Sequence, residues 1–347
     1  MQGSLVGSGC KMIARTLKAI STEHPRSGVS EHMTIQVEPI LPRFGAEISG
    51  IDITKPLDEA TQAQIKAAQD KWGVTVWRNT GLDDESHVAF SRIFGHLEIA
   101  PRPTNKPPRF SRPELFDASN LDAQGNIIDN EMTRLAKKGD RLWHTDSSFM
   151  PLRSACSLLL CHEAPKEGGP TWFADTRSAY DDLPQAMKDL IAGLEADHSY
   201  FHSRMRAGFP YTEEELDTKP SARHPLVHVH EGSGRKALYV GAHARDIVGM
   251  DREEGRALLR ELFQWATQPQ YIFSVTYKPG DMVIWDNLCS MHRGGDYDAV
   301  NDRRDMRRTT VREGAPPDVA DDPFGDMFKA AGRPGFDASP KVAEANA

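Results

Sequence analysis

LWHTDSSFM, residues 142–150, sets a histidine and an aspartate one residue apart inside an otherwise apolar and small-residue stretch. Read as a strand, whose side chains alternate between faces, it turns His144 and Asp146 to the same side, where they can share one metal ion. A neutral imidazole and a carboxylate suit a divalent transition metal, and a second histidine would complete a 2-His-1-carboxylate triad that leaves three positions open on iron(II). Of the thirteen histidines, His292 is the candidate, because it follows PGDMVIWDN (279–287), a turn and then an apolar strand ending in polar residues, as at the rim of a barrel. Taken alone, an HxD pair occurs in many proteins and reads more readily as a hydrogen-bonded surface pair.

Outward from this stretch, short β signals recur. Ile35 and Val37 alternate with polar neighbours, Val74 and Val76 do so in GVTVW (73–77), and YIFSVTY (271–277) repeats the pattern, so all three are expected as half-buried strands. Helices are fewer. The segment 182–194 sets Met187, Leu190, Ile191 and Leu194 on one face, and 251–267 does the same with Leu258, Leu259, Leu262, Phe263 and Ala266 behind an N-cap at Asp251. Many strands without regular βα alternation predict a mainly β protein with flanking helices, a closed or double-layer jelly roll. One domain is expected over 33–313. Irregular binding loops are expected at about 100–140, where PRPTNKPPRFSRPE is too rich in proline for regular structure, and at about 199–224, which lacks clear periodicity. Residues 314–347, rich in Pro, Gly and Asp, are expected to be a peripheral tail. Residues 1–32 read as a non-native leader, a disordered tail or a targeting peptide, although Glu23 and Glu31 fit the last poorly.

Composition excludes several function classes. A formal net charge of -8 and the lack of a sustained Lys/Arg tract argue against nucleic acid or an acidic membrane as partner. No stretch has the roughly 18 to 20 apolar residues that cross a bilayer, and a cytoplasmic location is the default expectation. Four cysteines, Cys10, Cys156, Cys161 and Cys289, form no CxxC pair, so they read as core thiols rather than a disulfide framework or zinc ribbon. The alternating His228 and His230 read as hydrogen-bonded or solvent-facing strand residues, with nothing nearby in sequence to complete a second metal site. His198, His202 and His243 are expected to be structural rather than in touch with substrate. Trp143 and Trp285 are expected to pack below the metal site, Asp286 and Asn287 to fix a strand end or support the ligands, and Asp175 to pair with Arg177.

In order along the chain, LWHTDSSF (142–149), GGPTWFADTRSAYD (168–181), DMVIWDNLCSMHR (281–293) and RRDMRRTTV (303–311) together resemble the taurine dioxygenase and 2,4-dichlorophenoxyacetate dioxygenase family. LPRFGAEISGIDITKPLD (41–58) is similar to that family's opening and FSRIFGHLE (90–98) to its following helix and turn; WHTDSSF, FADTRSAYD and RDMRRTTV are closer to the aryloxyacetate branch. The resemblance implies a double-stranded β-helix that binds iron(II) through His144, Asp146 and His292 and uses 2-oxoglutarate and O2. A small anionic substrate would be hydroxylated while 2-oxoglutarate is decarboxylated to succinate and CO2. The expected substrate is an aryloxyalkanoate like 2,4-dichlorophenoxyacetate, cleaved to a phenol and glyoxylate. Family likeness also allows a homo-oligomer.

A co-substrate that chelates iron through its keto acid end still has a distal carboxylate to neutralise, which a guanidinium does with two parallel hydrogen bonds. Arg303, Arg304, Arg307, Arg308 and Arg312 crowd one segment; as a strand, it sets Arg304, Arg308 and Arg312 on one face and Arg303 and Arg307 on the other, and a solvated basic strand is the plain alternative. The resemblance implies that Arg304 grips the 2-oxoglutarate carboxylate with help from Thr171, and that Arg308 binds the acidic group of the substrate. The taurine branch has a sulfonate-binding histidine just after the FGxLxI turn, where this chain has Ala100, which counts against taurine. Asp140 stands where relatives often carry an asparagine, and would repel a substrate anion unless paired or displaced. Other anionic substrates (alkylsulfonates, sulfate esters, amino-acid-like compounds) remain open, as does a non-catalytic jelly-roll binding protein; a zinc hydrolase is a weaker alternative, since no general base is apparent near the HxD segment.

Overall fold

The most apolar strands have both faces covered, and that decides the architecture. A computed structural model of the chain describes residues 34–100 and 109–314; residues 1–33, the Pro-rich stretch 101–108, Cys10 and the tail from 315 lie outside the described residues. A seven-stranded sheet contains β1 (Gln36–Pro39), β2 (Ala46–Ser49), β3 (Val74–Trp77), β4 (Phe116–Asp117), β5 (Ser154–Glu163), β13 (Met282–Asp286) and β15 (Asp305–Arg312), in the order β1-β2-β3-β13-β5-β15-β4. Among the described residues, only β2 with β3 is parallel. A smaller sheet sets β6 (Thr171–Asp175) between β12 (Ile272–Val275) and β14 (Ser290–Gly294).

Between the two sheets lie Val76, Leu159, Cys161, Val283, Trp285 and Met306 from the large sheet, with Phe173, Phe273 and Val275 from the small one. The period of two sends Leu158, Leu160, Met282 and Ile284 to the opposite face, where they pack with Ile65, Ala68 and Trp72 of α1 (Glu59–Trp72) and with Val88 and Phe90 of α2 (Asp84–Ser91). This is a jelly roll with flanking helices. GVTVW, expected to be half-buried, is buried throughout as β3, because helices close the face that would otherwise meet water. YIFSVTY is the half-buried strand expected, over β12, whereas Val37 lies in an exposed edge strand.

The outer face of the small sheet is covered by α4 (Thr176–Asp181), α5 (Gln185–Ile191) and α8 (Arg252–Ala266), through Ala179, Ile191, Leu258, Leu259 and Leu262 against Ala174 and Met291. Asp251 caps α8 as expected, accepting from the amides of Glu253 and Glu254. The segment 182–194 forms a shorter helix: α5 stops at Ile191, Gly193 turns the chain at φ 77°, and Leu190 is 55% exposed. A three-stranded sheet of β7 (Glu195–His198), β8 (Ala222–Pro225) and β11 (Ala244–Ile247) and a hairpin of β9 (Val227–Val229) with β10 (Lys236–Leu238) complete the sheets. Both stretches expected to be irregular contain helices: α3 (Glu131–Asp140) in the first, α6 (Tyr200–Arg206) and α7 (Glu213–Asp217) in the second. No helix among the described residues is long and apolar enough to cross a membrane.

Candidate active site

His144, Asp146 and His292 meet as the sequence predicts, though not by the expected geometry. LWHTDSSFM is not a strand: His144 makes one isolated antiparallel bridge with His292, and the chain then turns at Asp146, with Ser147 at φ 52°. The pair is brought together by that single bridge followed by a tight turn, which puts both side chains beside β14. One ligand atom from each of the three residues lies within 4.8 Å of the others.

The donor set fits a metal. His144 Nδ1 lies 2.7 Å from the Leu142 carbonyl, so it carries the proton and leaves the Nε2 lone pair free. Burial, and after it the neighbouring His144, pushes the His292 imidazole well below its usual pKa and keeps it in the neutral form that ligates metals. Burial opposes ionisation of Asp146, but Arg308 first, then His292, His144 and the Ser157 hydroxyl, outweigh it and hold the carboxyl well below its usual range. Asp146 is also fixed mechanically. Its amide donates to Asn287 Oδ1 (3.1 Å), Ser157 Oγ donates to its Oδ2 (2.7 Å), and Asn287 Nδ2 donates to that hydroxyl (3.0 Å). Trp285, whose ring centroid is 4.5 Å from that of His292, donates through Nε1 to Asn287 Oδ1 (3.1 Å) and floors the site as expected.

The three residues open onto a cavity of about 870 Å³. Thr171, Arg304 and Arg308 all line it. Thr171 Oγ1 accepts from the Tyr277 hydroxyl (2.8 Å), and burial pushes that phenol up to about 12. Arg304 donates from Nη1 to the Ala118 carbonyl (2.7 Å). Arg308 donates from Nη1 to Asp146 Oδ1, lies over Phe116 at 4.7 Å, and keeps a buried Nε without a hydrogen-bond partner among the described residues. Arg303 and Arg307 do turn away, to Glu163 and to Asp84 with Asp305. Arg312, expected on the cavity face, lies past a register break after Val311 and does not line the cavity. Phe110, Leu115, Phe116, Leu121 and Phe149 supply apolar wall, and both Ala100 and Asp140 reach it.

Sequence reasoning missed several residues. Buried Glu98 accepts from Ser154 (2.9 Å) and Ser147 (3.2 Å) at the cavity wall, and burial raises its pKa. Ser157 had a readable signal, as a lone hydroxyl in the apolar run SACSLLLC (154–161). Lys137 and Tyr297 also line the cavity, and nothing in their local sequence marks them. His243 is held by Ser148 (2.9 Å) and by Phe149, a structural role, yet it too faces the cavity. His198 packs on Tyr239, and His228 reaches the Leu288 carbonyl (2.7 Å). Asp175 pairs with Arg177 at 3.4 Å, both buried. Contrary to expectation, His230 has would-be ligands beside it, Asp286 and Cys289. Its ring nitrogens are already engaged, with Asp286 at 2.9 Å and Ser233 at 2.7 Å.

Residues 36–310 match the family described as "Taurine catabolism dioxygenase TauD, TfdA family". The chain belongs to this family. An alpha-ketoglutarate-dependent 2,4-dichlorophenoxyacetate dioxygenase from Burkholderia sp. (strain RASC) is 39% identical over 80% of this chain and 95% of its own length. A (S)-phenoxypropionate/alpha-ketoglutarate-dioxygenase from Sphingobium herbicidovorans is 32% identical over 77% and 91%. The crystal structure of AAD-2 in complex with Mn(II) and N-oxalylglycine superposes with a TM-score of 0.73 at 37% identity, covering 82% of this chain and 99% of that one. For a taurine dioxygenase from Burkholderia xenovorans the TM-score is 0.64 at 29% identity, with 81% and 92% covered. As a TauD/TfdA dioxygenase, the chain places the expected iron ligands and both expected anion-binding arginines on a single cavity.

Proposed function

We propose that this iron(II)- and 2-oxoglutarate-dependent dioxygenase acts on aryloxyalkanoates, with His144, Asp146 and His292 as the metal ligands. One observation carries the reading: the three ligands, two arginines and an aromatic and aliphatic wall converge on one cavity. Iron(II) at this site would supply oxygen activation coupled to decarboxylation of 2-oxoglutarate. The protein's share is placement. Arg304 and Thr171 anchor the distal carboxylate of the co-substrate, Arg308 draws the substrate carboxylate towards the metal, and Phe110, Phe116 and Phe149 accept the aryl ring. With one O2 atom going to succinate and the other to the carbon between ether oxygen and carboxylate, hydroxylation of an aryloxyacetate gives a hemiacetal that collapses to a phenol and glyoxylate, and a 2-aryloxypropionate would give a phenol and pyruvate, while 2-oxoglutarate leaves as succinate and CO2.

Relatives include an alpha-ketoglutarate-dependent sulfate ester dioxygenase from Pseudomonas putida, 30% identical over 80% of this chain, so the test must separate substrates. Succinate is quantified with iron(II), ascorbate and 2-oxoglutarate across aryloxyacetates, 2-aryloxypropionates, taurine, alkyl sulfates and amino acids. Phenol release equal to succinate, above the uncoupled background, is expected with an aryloxyalkanoate. Coupled turnover only with a sulfonate or sulfate ester overturns the substrate assignment. His144→Ala should abolish turnover and iron binding together; a fully active variant removes the metal assignment.

A further inference from the structure

Several cations line the cavity, and three of them are already answered by a carboxylate. Arg109 pairs with Asp117 and Asp305, Arg141 with Asp296, and Arg308 with Asp146. Arg304 and Lys137 form no ion pair within 4.0 Å among the described residues. Both sit on one ring. Lys137 Nζ is 3.1 Å from the Tyr297 hydroxyl and 5.7 Å from the ring centroid, and the Arg304 guanidinium carbon is 5.9 Å from the same centroid. Tyr297 is seated against the Gly168–Gly169 turn that leads into Thr171: a Cβ built on Gly169 would lie 3.6 Å from the Tyr297 Cβ. Lys137, Tyr297, Arg304 and Thr171 therefore cluster at one end of the cavity, whereas Arg308 sits against Asp146.

An ammonium drawn out of water without a counter-charge is costly, and the cost is relieved when an anion binds. Burial, and then Arg304, brings the Lys137 amine down to about 8, with Asp140, Asp117, Arg141 and the Tyr297 phenol as the other groups around it. One of the three ammonium donors faces Tyr297, which leaves two for a ligand. We propose that Lys137 is a second cation for the distal carboxylate of 2-oxoglutarate, supplying a point charge beside the Arg304 fork on the shared Tyr297 ring. This rests on the assignment of Arg304 and Thr171 to that carboxylate. Lys137 binds co-substrate and takes no part in the oxidation itself.

Calorimetry without oxygen on iron(II)-loaded protein tests it, comparing 2-oxoglutarate with 2-oxobutyrate, which keeps the chelating keto acid and lacks the distal carboxylate. Lys137→Met should weaken 2-oxoglutarate roughly tenfold and leave 2-oxobutyrate unchanged, and Lys137→Arg should restore most of the loss. The wild-type preference for 2-oxoglutarate should decline as pH rises through about 8, and that of Lys137→Arg should not. If Lys137→Met binds 2-oxoglutarate like wild type while Arg304→Met does not, the inference fails and the Arg304 assignment stands. Should neither variant discriminate between the two keto acids, the assignment of this end to the distal carboxylate fails, and Lys137 with it. Equal weakening of both keto acids by Lys137→Met, or a loss confined to the aryloxyalkanoate, also overturns it.

Discussion

Asp146 shows how much of the proposed metal site lies behind the side chains assigned to hold the ion. Its position depends on Asn287, which accepts from the Asp146 amide and from Trp285 Nε1 while donating to Ser157 Oγ, itself bonded to the carboxylate. Removing partners that orient a ligand costs about 10–100-fold in metal affinity. Asn287→Ala should therefore weaken iron(II) binding by that order, read by metal titration, and lower stability by about 1–3 kcal/mol for donors left unsatisfied in a buried site. Unchanged iron affinity would show that the turn after His144 holds Asp146 unaided. At this scale the convergence of the three proposed ligands was legible, because HxD and a distal histidine leave a mark in sequence. Glu98 was not: what sets it apart is burial beside Ser147 and Ser154, contacts that cross the chain and have no local pattern.

Secondary elements were legible where their ends carry chemistry. Asp251 announces α8, and its apolar face is the one buried. The helix expected over 182–194 was overdrawn: α5 ends at Ile191 and Gly193 turns the chain, so Leu194 reaches the same core from beyond the helix while Leu190 stays exposed. The segment 199–224, read as irregular, did contain a sign in Thr212 and Glu215, which form a capping box at the start of α7. That short helix is held by charge. Arg245, only 7% exposed, donates to Glu213 (2.8 Å) and Asp217 (2.6 Å), Arg252 adds two bonds to Asp217, and Arg256 two to Glu213. On the N-terminal side of the same segment, Tyr200 and Arg204 reach the cavity wall. Arg245→Met should loosen α7, with faster limited proteolysis between α6 and β8 and a stability loss of about 1–2 kcal/mol, discounted because both acids are partly exposed. The KM for the primary substrate should rise more than that for 2-oxoglutarate. An unchanged cleavage rate would mean that packing of Leu216, not the ion pairs, holds the segment.

For the molecule as a whole, the class of fold was legible from strand count and the lack of βα alternation, but the depth of its layers was not. Alternation looks the same whether the second face meets water or a helix, so β3 read as half-buried although α1 covers it. The same double covering buries histidines that the sequence leaves ambiguous. Burial first brings His87 down to about 4, His198 to about 3, and His202 and His228 to about 4. In the unfolded chain these side chains titrate near about 6.5. Below that pH the unfolded state binds more protons than the folded one, so stability is full above about 6.5 and falls as pH drops towards 4. Each histidine contributes up to about 1.4 kcal/mol per pH unit in that window. Glu98 acts in the opposite sense, since its raised pKa favours the protonated folded form, but it is one group against these four. Thermal melts of chelator-treated protein, free of metal-linked protons, should therefore lose on the order of 10 °C between about pH 7 and pH 5. His198→Phe should flatten part of that slope, because both ring nitrogens of His198 are buried without a partner among the described residues and its ring already packs on Tyr239. A melting temperature that stays level across the window would mean that these histidines gain solvent or partners as they charge, and that the layers around them are looser than the packing indicates.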